Sequence, residues 1–224
     1  MAIARFKDLC VDAGDPVRLG EFWAAALGRT LETREDGEHL LRGPTPRHTI
    51  WINKVPEART VKHRVHLDIY ARGLDELEAL GAAVLRPLPG WTVMTDPEGG
   101  EFCAFVREDP PAERLHGLVV DSADAGAQAR WWAEVYGVGV TASDGWFTLK
   151  GVPGMPIQTM DFVPVPEPKT EKNRVHWDVT VADVAPILAA GATLLREPDR
   201  DIGWHVLADP EGNEFCAFTV GNES

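Results

Sequence analysis

Two histidine–aspartate pairs are the residues of this sequence best suited to chemistry. His66 and Asp68 stand two positions apart in HRVHLD, and His176 and Asp178 do the same in NRVHWD. Residues two apart on a strand point to one face, so each pair places an imidazole beside a carboxylate. Such a pair could abstract or relay a proton. The alternative is a structural network in which the aspartate only orients the histidine.

Cysteines and glutamates follow at a second place in the pattern. Cys103 and Cys216 occupy the same position of the motif EFCAF, two residues after Glu101 and Glu214. Each glutamate therefore shares a strand face with its cysteine, and all four are candidate ligand contacts. With Cys10 the cysteine count is odd and widely spaced, which matches neither a disulfide framework nor a zinc ribbon. No cationic residue adjoins these thiols in sequence, so small buried residues are the other interpretation.

Several aromatic residues could complete a ligand site. Trp51, Trp91 and Trp204 lie on or near predicted strands, where they could stack on a planar molecule or pack in the core. His205 adds a titratable group beside Trp204, and a solvent-exposed histidine is the other interpretation. The segments PEARTVKHR and PEPKTEKNR are predicted to be solvated loops that could form the rims of pockets.

An internal repeat of about 110 residues organises these motifs. HRVHLD at 63–68 recurs as NRVHWD at 173–178, and DPEGGEFCAF at 96–105 recurs as DPEGNEFCAF at 209–218. EFWAAALG and RWWAEVYG match upstream in the same order. Self-similarity at one period indicates a duplicated domain. We expect two domains, 1–107 and 117–224, joined by a polar linker at 108–116.

Within one repeat, hydrophobic period and turn residues predict β-α-β-β-β twice. KDLCVD alternates as a half-buried strand does. Asp15-Pro16 is typical of a helix start and Gly28 of a helix end. Further strands are predicted near 30–34, 38–43, 48–53 and 64–71, and the DPEGG turn needs the backbone freedom of glycine. The chain as a whole then holds four such units.

This element order, Asp15-Pro16 with Phe22-Trp23, the VH-x-D strands and the DPEGNEFCAF hairpin resemble the vicinal oxygen chelate superfamily. That superfamily includes glyoxalase I, bleomycin- and fosfomycin-resistance proteins and extradiol dioxygenases. The resemblance implies an α+β fold of two tandem glyoxalase-like domains, each built from two βαβββ units forming a curved mixed sheet around a pocket. A shared fold does not fix a function, since members include isomerases, lyases, dioxygenases and binding proteins.

The resemblance also implies where a metal would bind, on the first, fifth and eighth strands. In repeat one these positions carry Asp8, His66 and Cys103. In repeat two they carry Gly117, His176 and Cys216, so one ligand is missing. Hard divalent ions prefer carboxylate and imidazole to thiol ligands. We therefore expect no metal and no cofactor, and Asp8 joins the candidate catalytic residues as a second carboxylate of repeat one.

Composition excludes several functions. The net charge is −13, which argues against binding nucleic acid or anionic lipid. No signal-like segment or membrane-length apolar run is found. Few cysteines suit a reducing compartment, so we expect a cytoplasmic protein. As a partner we expect only a small molecule, bound by a monomer with pseudo-two-fold symmetry or by a homodimer.

Three functions remain open on sequence grounds. The first is metal-independent binding of a small organic molecule, as in drug sequestration and antibiotic resistance. The second is an isomerase, lyase or cyclase that uses His/Asp proton transfer, and the third is a metal-dependent glyoxalase or dioxygenase. We also expect one repeat to do most of the functional work. Asp8, His66 and Asp68 give repeat one the fuller polar set for proton transfer. Gly117, by contrast, gives repeat two more room and His205 a titratable group, so repeat two could instead be the ligand pocket.

Overall fold

The computed structural model describes residues 2–220, which form sixteen strands and four helices in four βαβββ units. The first unit has β1 (Ala4–Ala13), α1 (Pro16–Leu27), β2 (Thr30–Thr33), β3 (His39–Arg42) and β4 (Ile50–Lys54). The second has β5 (Val65–Ala71), α2 (Leu74–Ala79), β6 (Ala83–Leu88), β7 (Trp91–Thr95) and β8 (Glu101–Val106). The third has β9 (Leu115–Ser122), α3 (Ala125–Tyr136), β10 (Val140–Ser143), β11 (Trp146–Lys150) and β12 (Thr159–Pro164). The fourth has β13 (Val175–Val181), α4 (Ala185–Ala189), β14 (Thr193–Arg196), β15 (His205–Ala208) and β16 (Glu214–Thr219).

The four units form two mixed sheets of eight strands. Sheet 1 has the order β14-β15-β16-β13-β1-β4-β3-β2, and sheet 2 has the order β10-β11-β12-β9-β5-β8-β7-β6. The predicted order of elements, four βαβββ units in two tandem repeats, is thereby confirmed. The two units within a sheet, however, come from different repeats. β1 pairs antiparallel with β13, and β5 pairs antiparallel with β9.

The first helix begins and ends at the residues that the sequence predicts. The Asp15 side chain accepts a hydrogen bond from the backbone N–H of Arg18 at 3.1 Å, and Pro16 occupies the first turn. Gly28 ends the helix with φ of 65°, a left-handed conformation that glycine adopts without steric cost. The equivalent helix α3 is capped in the same way by Asp124 and Gly137.

The hydrophobic core is one cluster that includes both repeats, and within it each long helix packs on aromatic residues of its own repeat. In repeat one, Trp23 of α1 meets Phe102 of β8 with ring centroids 5.2 Å apart. In repeat two, Trp132 of α3 contacts Trp177 of β13 at 4.9 Å and Phe215 of β16 at 5.1 Å. Helices α1 and α3 thus each pack against the second unit of their own repeat, which belongs to the other sheet. Along residues 2–220 no helix has the length and apolar character needed to cross a membrane.

Candidate functional site

A first cluster of polar side chains, called site 1, lies where β1, β13 and β16 adjoin in sheet 1. Cys10 stands opposite His176, and Asp178 stands beside Cys216. Ligand-type atoms of Cys10, His176 and Asp178 all lie within 4.8 Å of one another. The Cys10 Sγ is 3.6 Å from the Asp178 Oδ2, a contact in which the thiol donates. Site 1 therefore combines two thiols, an imidazole and a buried carboxyl.

An irregularity in β1 brings further charge to site 1. The register of β1 against β13 shifts between Phe6 and Leu9, which is where Lys7 and Asp8 lie. Lys7 forms an ion pair with Asp8, and its Nζ lies 4.4 Å from the centre of the Phe218 ring. Bulges commonly redirect side chains beside functional sites. Here the bulge places a cation and a second carboxylate next to Asp178.

A second cluster, called site 2, occupies the equivalent place in sheet 2. Ligand-type atoms of His66, Asp68 and Cys103 lie within 4.8 Å of one another. The His66 Nδ1 is 3.4 Å from the Asp68 Oδ1, and its Nε2 is 3.8 Å from the Asp121 Oδ1. Asp121 also forms an ion pair with Lys62. His66 thus lies between two carboxylates.

The prediction that the metal-position residues group by repeat is wrong. Asp8 does not adjoin His66 and Cys103, because β1 pairs with β13 and not with β5. Within one repeat, the first strand of each unit has a neighbouring strand on only one side. Pairing each of these strands with a strand of the other repeat completes both sheets at once. Asp8 consequently belongs with His176, and Gly117 belongs with Asp68.

The pairing of strands between the two repeats explains why a glycine stands at position 117. It pairs directly with Asp68, and a Cβ added at Gly117 would lie 3.0 Å from the Asp68 Cβ. Real Cβ atoms rarely approach so closely, so a larger residue would push Asp68 away from His66. The room that glycine was expected to give to a pocket is occupied by the Asp68 side chain.

A stacked pair of aromatic rings adjoins each site. Trp91 and Phe105 stack at 5.9 Å and 21° in sheet 2, and Trp204 and Phe218 stack at 5.1 Å and 28° in sheet 1. All four side chains are half-buried. In sheet 2 the Phe105 ring also meets His116 edge-on at 4.8 Å.

His116 occupies the position in β9 that Lys7 occupies in β1. It lies at the register shift between β5 and β9, and it stacks on Tyr70 at 4.1 Å. Its Nε2 is buried without a hydrogen-bond partner among the described residues. The two sites therefore differ most at this position, with an ammonium in site 1 and an imidazole in site 2.

Three predicted ligand contacts lie to the side of the clusters. Glu101 accepts a hydrogen bond from the backbone N–H of His63 at 2.9 Å, and Glu214 forms an ion pair with Lys169 at 2.8 Å. Both glutamates thereby fasten the loop that precedes the central strand. His205 pairs in register with Ala217, a core residue, so its side chain lies on the opposite face from Cys216. Trp51, by contrast, stands beside Cys10 in site 1.

The two histidines have opposite electrostatic environments. Burial alone would lower the pKa of His66, but the neighbouring carboxylates of Asp121 and Asp68 outweigh it and hold that pKa well above its ordinary value. Burial lowers the pKa of His176, and the nearby Asp12 offsets this only in part. At neutral pH His66 is an imidazolium within an ion pair, whereas His176 is neutral.

Protonation of site 1 is dominated by burial. Burial raises the pKa of Asp178 to about 7, although Lys7 acts in the opposite direction. Burial also raises the pKa of the Cys10, Cys103 and Cys216 thiols, so all three stay protonated at neutral pH. Site 1 therefore contains a carboxyl group that can give up or accept a proton near pH 7.

The Asp178→Asn variant should show a pH-dependent gain in stability. In the unfolded chain Asp178 loses its proton near the ordinary value of 3.8, but in the native protein near 7. Between these values the native state binds more protons, so its stability falls as pH rises. Asparagine removes this loss. We expect the variant to gain about 2–4 kcal/mol over the wild type between pH ~4 and pH ~8, measured by urea unfolding.

Asp109→Asn is the matched control, because Asp109 is exposed between the repeats. Its stability should follow that of the wild type at each pH. If Asp178→Asn also followed the wild type, Asp178 would ionise normally in the native protein.

The sequence matches the glyoxalase-like domain family twice, over residues 8–105 and again over 117–218. The chain belongs to the glyoxalase-like domain family. Each match spans one repeat. Together the two matches contain every residue of sites 1 and 2 except Lys7 and His116. No functionally curated protein sequence matches the chain.

Solved structures show the same fold for this glyoxalase-like protein. Glyoxalase I from Zea mays aligns with a TM-score of 0.71 over 98% of this chain and 93% of its own, at 15% identity. The CppA protein of Streptococcus pneumoniae aligns with a TM-score of 0.52 over 96% of this chain and 99% of its own, at 11% identity. Identities this low establish a common fold and nothing further.

The residues at the metal positions fit poorly the metal ion that the resemblance implies. Site 2 has Gly117 at the first metal position, and both sites have a thiol at the third. Burial keeps these thiols protonated, and a hard divalent cation prefers carboxylate and imidazole ligands. Zinc accepts a His, Asp and Cys set, but only after the thiol loses its proton. The donors present thus do not fit the hard cation of oxygen chemistry.

Several side chains of the two sites are not predicted from the sequence. Lys7 and His116 lie at irregular positions of their strands, where simple alternation fails to predict a face. Phe105 and Phe218 were available from the repeat, since both end the motif EFCAF. Cys10 and the two equivalent aspartates, Asp12 of repeat one and Asp121 of repeat two, are likewise not predicted as site residues.

Proposed function

We propose that this glyoxalase-like protein binds a small organic molecule at sites 1 and 2 without a metal ion. One observation carries the proposal. In site 1 the His176 Nδ1 and the Asp178 Oδ1 are buried and lack a hydrogen-bond partner among the described residues. In site 2 the equivalent atoms, the His66 Nδ1 and the Asp68 Oδ1, face each other at 3.4 Å as an ion pair. Buried unpaired polar atoms cost about 1–3 kcal/mol each, which a polar group of a ligand would recover.

The surroundings indicate the kind of ligand. Beside the histidine and aspartate of each site lies the flat, half-buried surface of a stacked tryptophan and phenylalanine. Aromatic rings bind planar groups by stacking. A ligand with a planar unsaturated part and a nearby hydroxyl, carbonyl or amine matches both features. Sequestration of a drug of this kind, in the cytoplasm and by a monomer or homodimer, is the specific role that we propose.

A proton-transfer enzyme is the second candidate, and site 1 favours it. A general acid or base works best with a pKa near the working pH, as Asp178 has at about 7. Neutral His176 lies within 4.8 Å of it, so a proton could pass between the two side chains through a substrate group that both contact. An isomerase, lyase or cyclase would use this pair at site 1, whereas the ion pair of His66 makes site 2 a binding site.

Paired substitution tests the proposal. His66→Ala and His176→Ala should change ligand affinity unequally, by more than about tenfold, or about 1.4 kcal/mol. We expect the larger effect from His176→Ala, because Asp8, Cys10 and Asp178 all adjoin that histidine. Affinity would be measured by quenching of tryptophan fluorescence with a panel of planar aromatic compounds, after native mass spectrometry has shown what co-purifies.

Metal analysis and kinetics separate the alternatives. We expect no stoichiometric zinc, iron or manganese in protein purified without chelators. Near-equimolar metal that is lost in His66→Ala or His176→Ala would overturn metal-independent binding. Turnover that collapses in His176→Ala while affinity persists would favour the enzyme. Equal effects of the two substitutions would mean two equivalent sites.

A further inference from the structure

A cavity of about 480 Å³ lies apart from both aromatic pairs, between the loops at 55–64 and 165–174. These loops precede the central strands β5 and β13, and they occupy equivalent places in the two repeats. The lining residues accordingly occur in related pairs, such as Val55 with Val165 and Lys62 with Lys172. The volume is within the usual range for small-molecule sites, which often form between domains.

The two loops are braced against each other. The Arg64 Nη1 donates to the backbone carbonyl of Glu167 at 2.5 Å, and the Arg174 Nη1 donates to the carbonyl of Glu57 at 2.6 Å. Each arginine thus reaches from the loop of its own repeat to the loop of the other. The cavity between them is held open in advance, and a preformed site loses less entropy when it binds.

The accessible charge in the cavity is positive at two equivalent points. Lys62 forms an ion pair with Asp121, and Lys172 forms one with Asp12. The lysine side chains are 60% and 59% exposed, whereas the aspartate side chains are only 4% and 3% exposed. A ligand in the cavity therefore meets the two ammonium groups and not the carboxylates of Asp121 and Asp12 that pair with them.

The rest of the lining limits the class of ligand. Val55, Ala58, Val165 and Pro168 supply apolar walls. The lining also includes Arg59, Arg64 and Arg174. The carboxylates of Glu57, Glu167 and Glu171, with the two aspartates, balance the lysines and arginines, so the total charge gives little general attraction for anions. A small inorganic anion would gain little there. An apolar chain with charge only at its ends matches the walls and both lysines.

We propose that this cavity binds an apolar small molecule with a carboxylate at each end, held by Lys62 and Lys172. The cavity is distinct from sites 1 and 2. It borders site 2 at Asp121, whose carboxylate adjoins both Lys62 and the His66 ring.

Three matched six-carbon probes test the charge requirement: adipate, 1,6-hexanediol and 1,6-hexanediamine. Calorimetric titration of the full chain should show that adipate, or another dicarboxylate between succinate and azelate, binds more tightly than the matched diol and diamine. Lys62→Met and Lys172→Met should each weaken it by about tenfold, or ~1.4 kcal/mol, while keeping an apolar stem of similar length. Lys150→Met, at an exposed lysine of β11, should leave binding unchanged.

Removing one lysine leaves a buried aspartate unpaired, which could unfold the protein. The double variant Lys62→Met/Asp121→Asn removes both charges, and it should fold and still bind dicarboxylates weakly. Equal binding of all three probes, tighter binding of the diamine, or full dicarboxylate affinity in the folded lysine variants would overturn the proposal. So would failure of every dicarboxylate of the series to bind at millimolar concentration.

Discussion

Residues 1–109, expressed without the second repeat, should not persist as a folded monomer. In the full chain β1 pairs with β13 and β5 pairs with β9, so the fragment exposes two unpaired strands. Unpaired strand edges readily join another chain. The fragment keeps the internal packing of Trp23 on Phe102, and we therefore expect it to assemble into a dimer through those edges. Size-exclusion chromatography with light scattering, together with circular dichroism, would measure this.

Co-expression of residues 110–224 as a separate chain is the control. The two fragments should form a one-to-one complex, because each then supplies the strands that the other lacks. A monomeric 1–109 fragment with cooperative unfolding and native strand content would contradict the expectation. It would then show that repeat one, predicted at 1–107, is an independent folding unit.

Replacing Trp132 by alanine should cause a large loss of stability. Trp132 is fully buried and packs against Trp131, Tyr136, Trp177 and Phe215, with ring centroids 4.8–5.2 Å apart. Its Nε1 also donates to the buried Asp209 Oδ2 at 3.1 Å. Truncation of a buried tryptophan costs about 3–5 kcal/mol, and the lost donor adds to it. This is a large part of the ~5–15 kcal/mol that stabilises a typical protein.

Trp146→Ala makes the same chemical change at an exposed position. Trp146 is 41% exposed on β11, so its removal should alter the free energy of unfolding by only about 0.5 kcal/mol. Both variants would be compared by urea denaturation at one pH. Equal losses at Trp132 and Trp146 would mean that the aromatic cluster of repeat two contributes little.

Much of the local structure could be predicted because local chemistry determines it. Asp15, Pro16 and Gly28 mark the first helix at the observed residues. Alternation correctly predicted that His66 and Asp68 share one face, as do His176 and Asp178. The internal repeat then extended each local result to the second copy. Strand β4 begins at Ile50, a little later than predicted, because Pro46–His48 form a single helical turn first.

The partner of each strand could not be predicted in the same way. The motif VH-x-D occurs in both β5 and β13, so β1 has two candidate neighbours with nearly the same sequence. Alternation and turn residues are satisfied by either pairing. Only the three-dimensional closure of both sheets selects β13. The positions of Asp8 and Gly117 relative to the two histidines depended on that choice, and the composition of both sites changed with it.

Because each sheet combines one unit from each repeat, the two sites form at different times as the chain is synthesised. Sheet 2 is built from one continuous stretch, residues 65–164, whereas sheet 1 joins residues 4–54 to residues 175–219. The contact of Cys10 with Asp178 spans 168 positions. Closing so long a loop is slow, and β1 keeps an open edge until β13 emerges from the ribosome. Site 2 can thus mature on a nascent chain, whereas site 1 must wait for its final fifty or so residues.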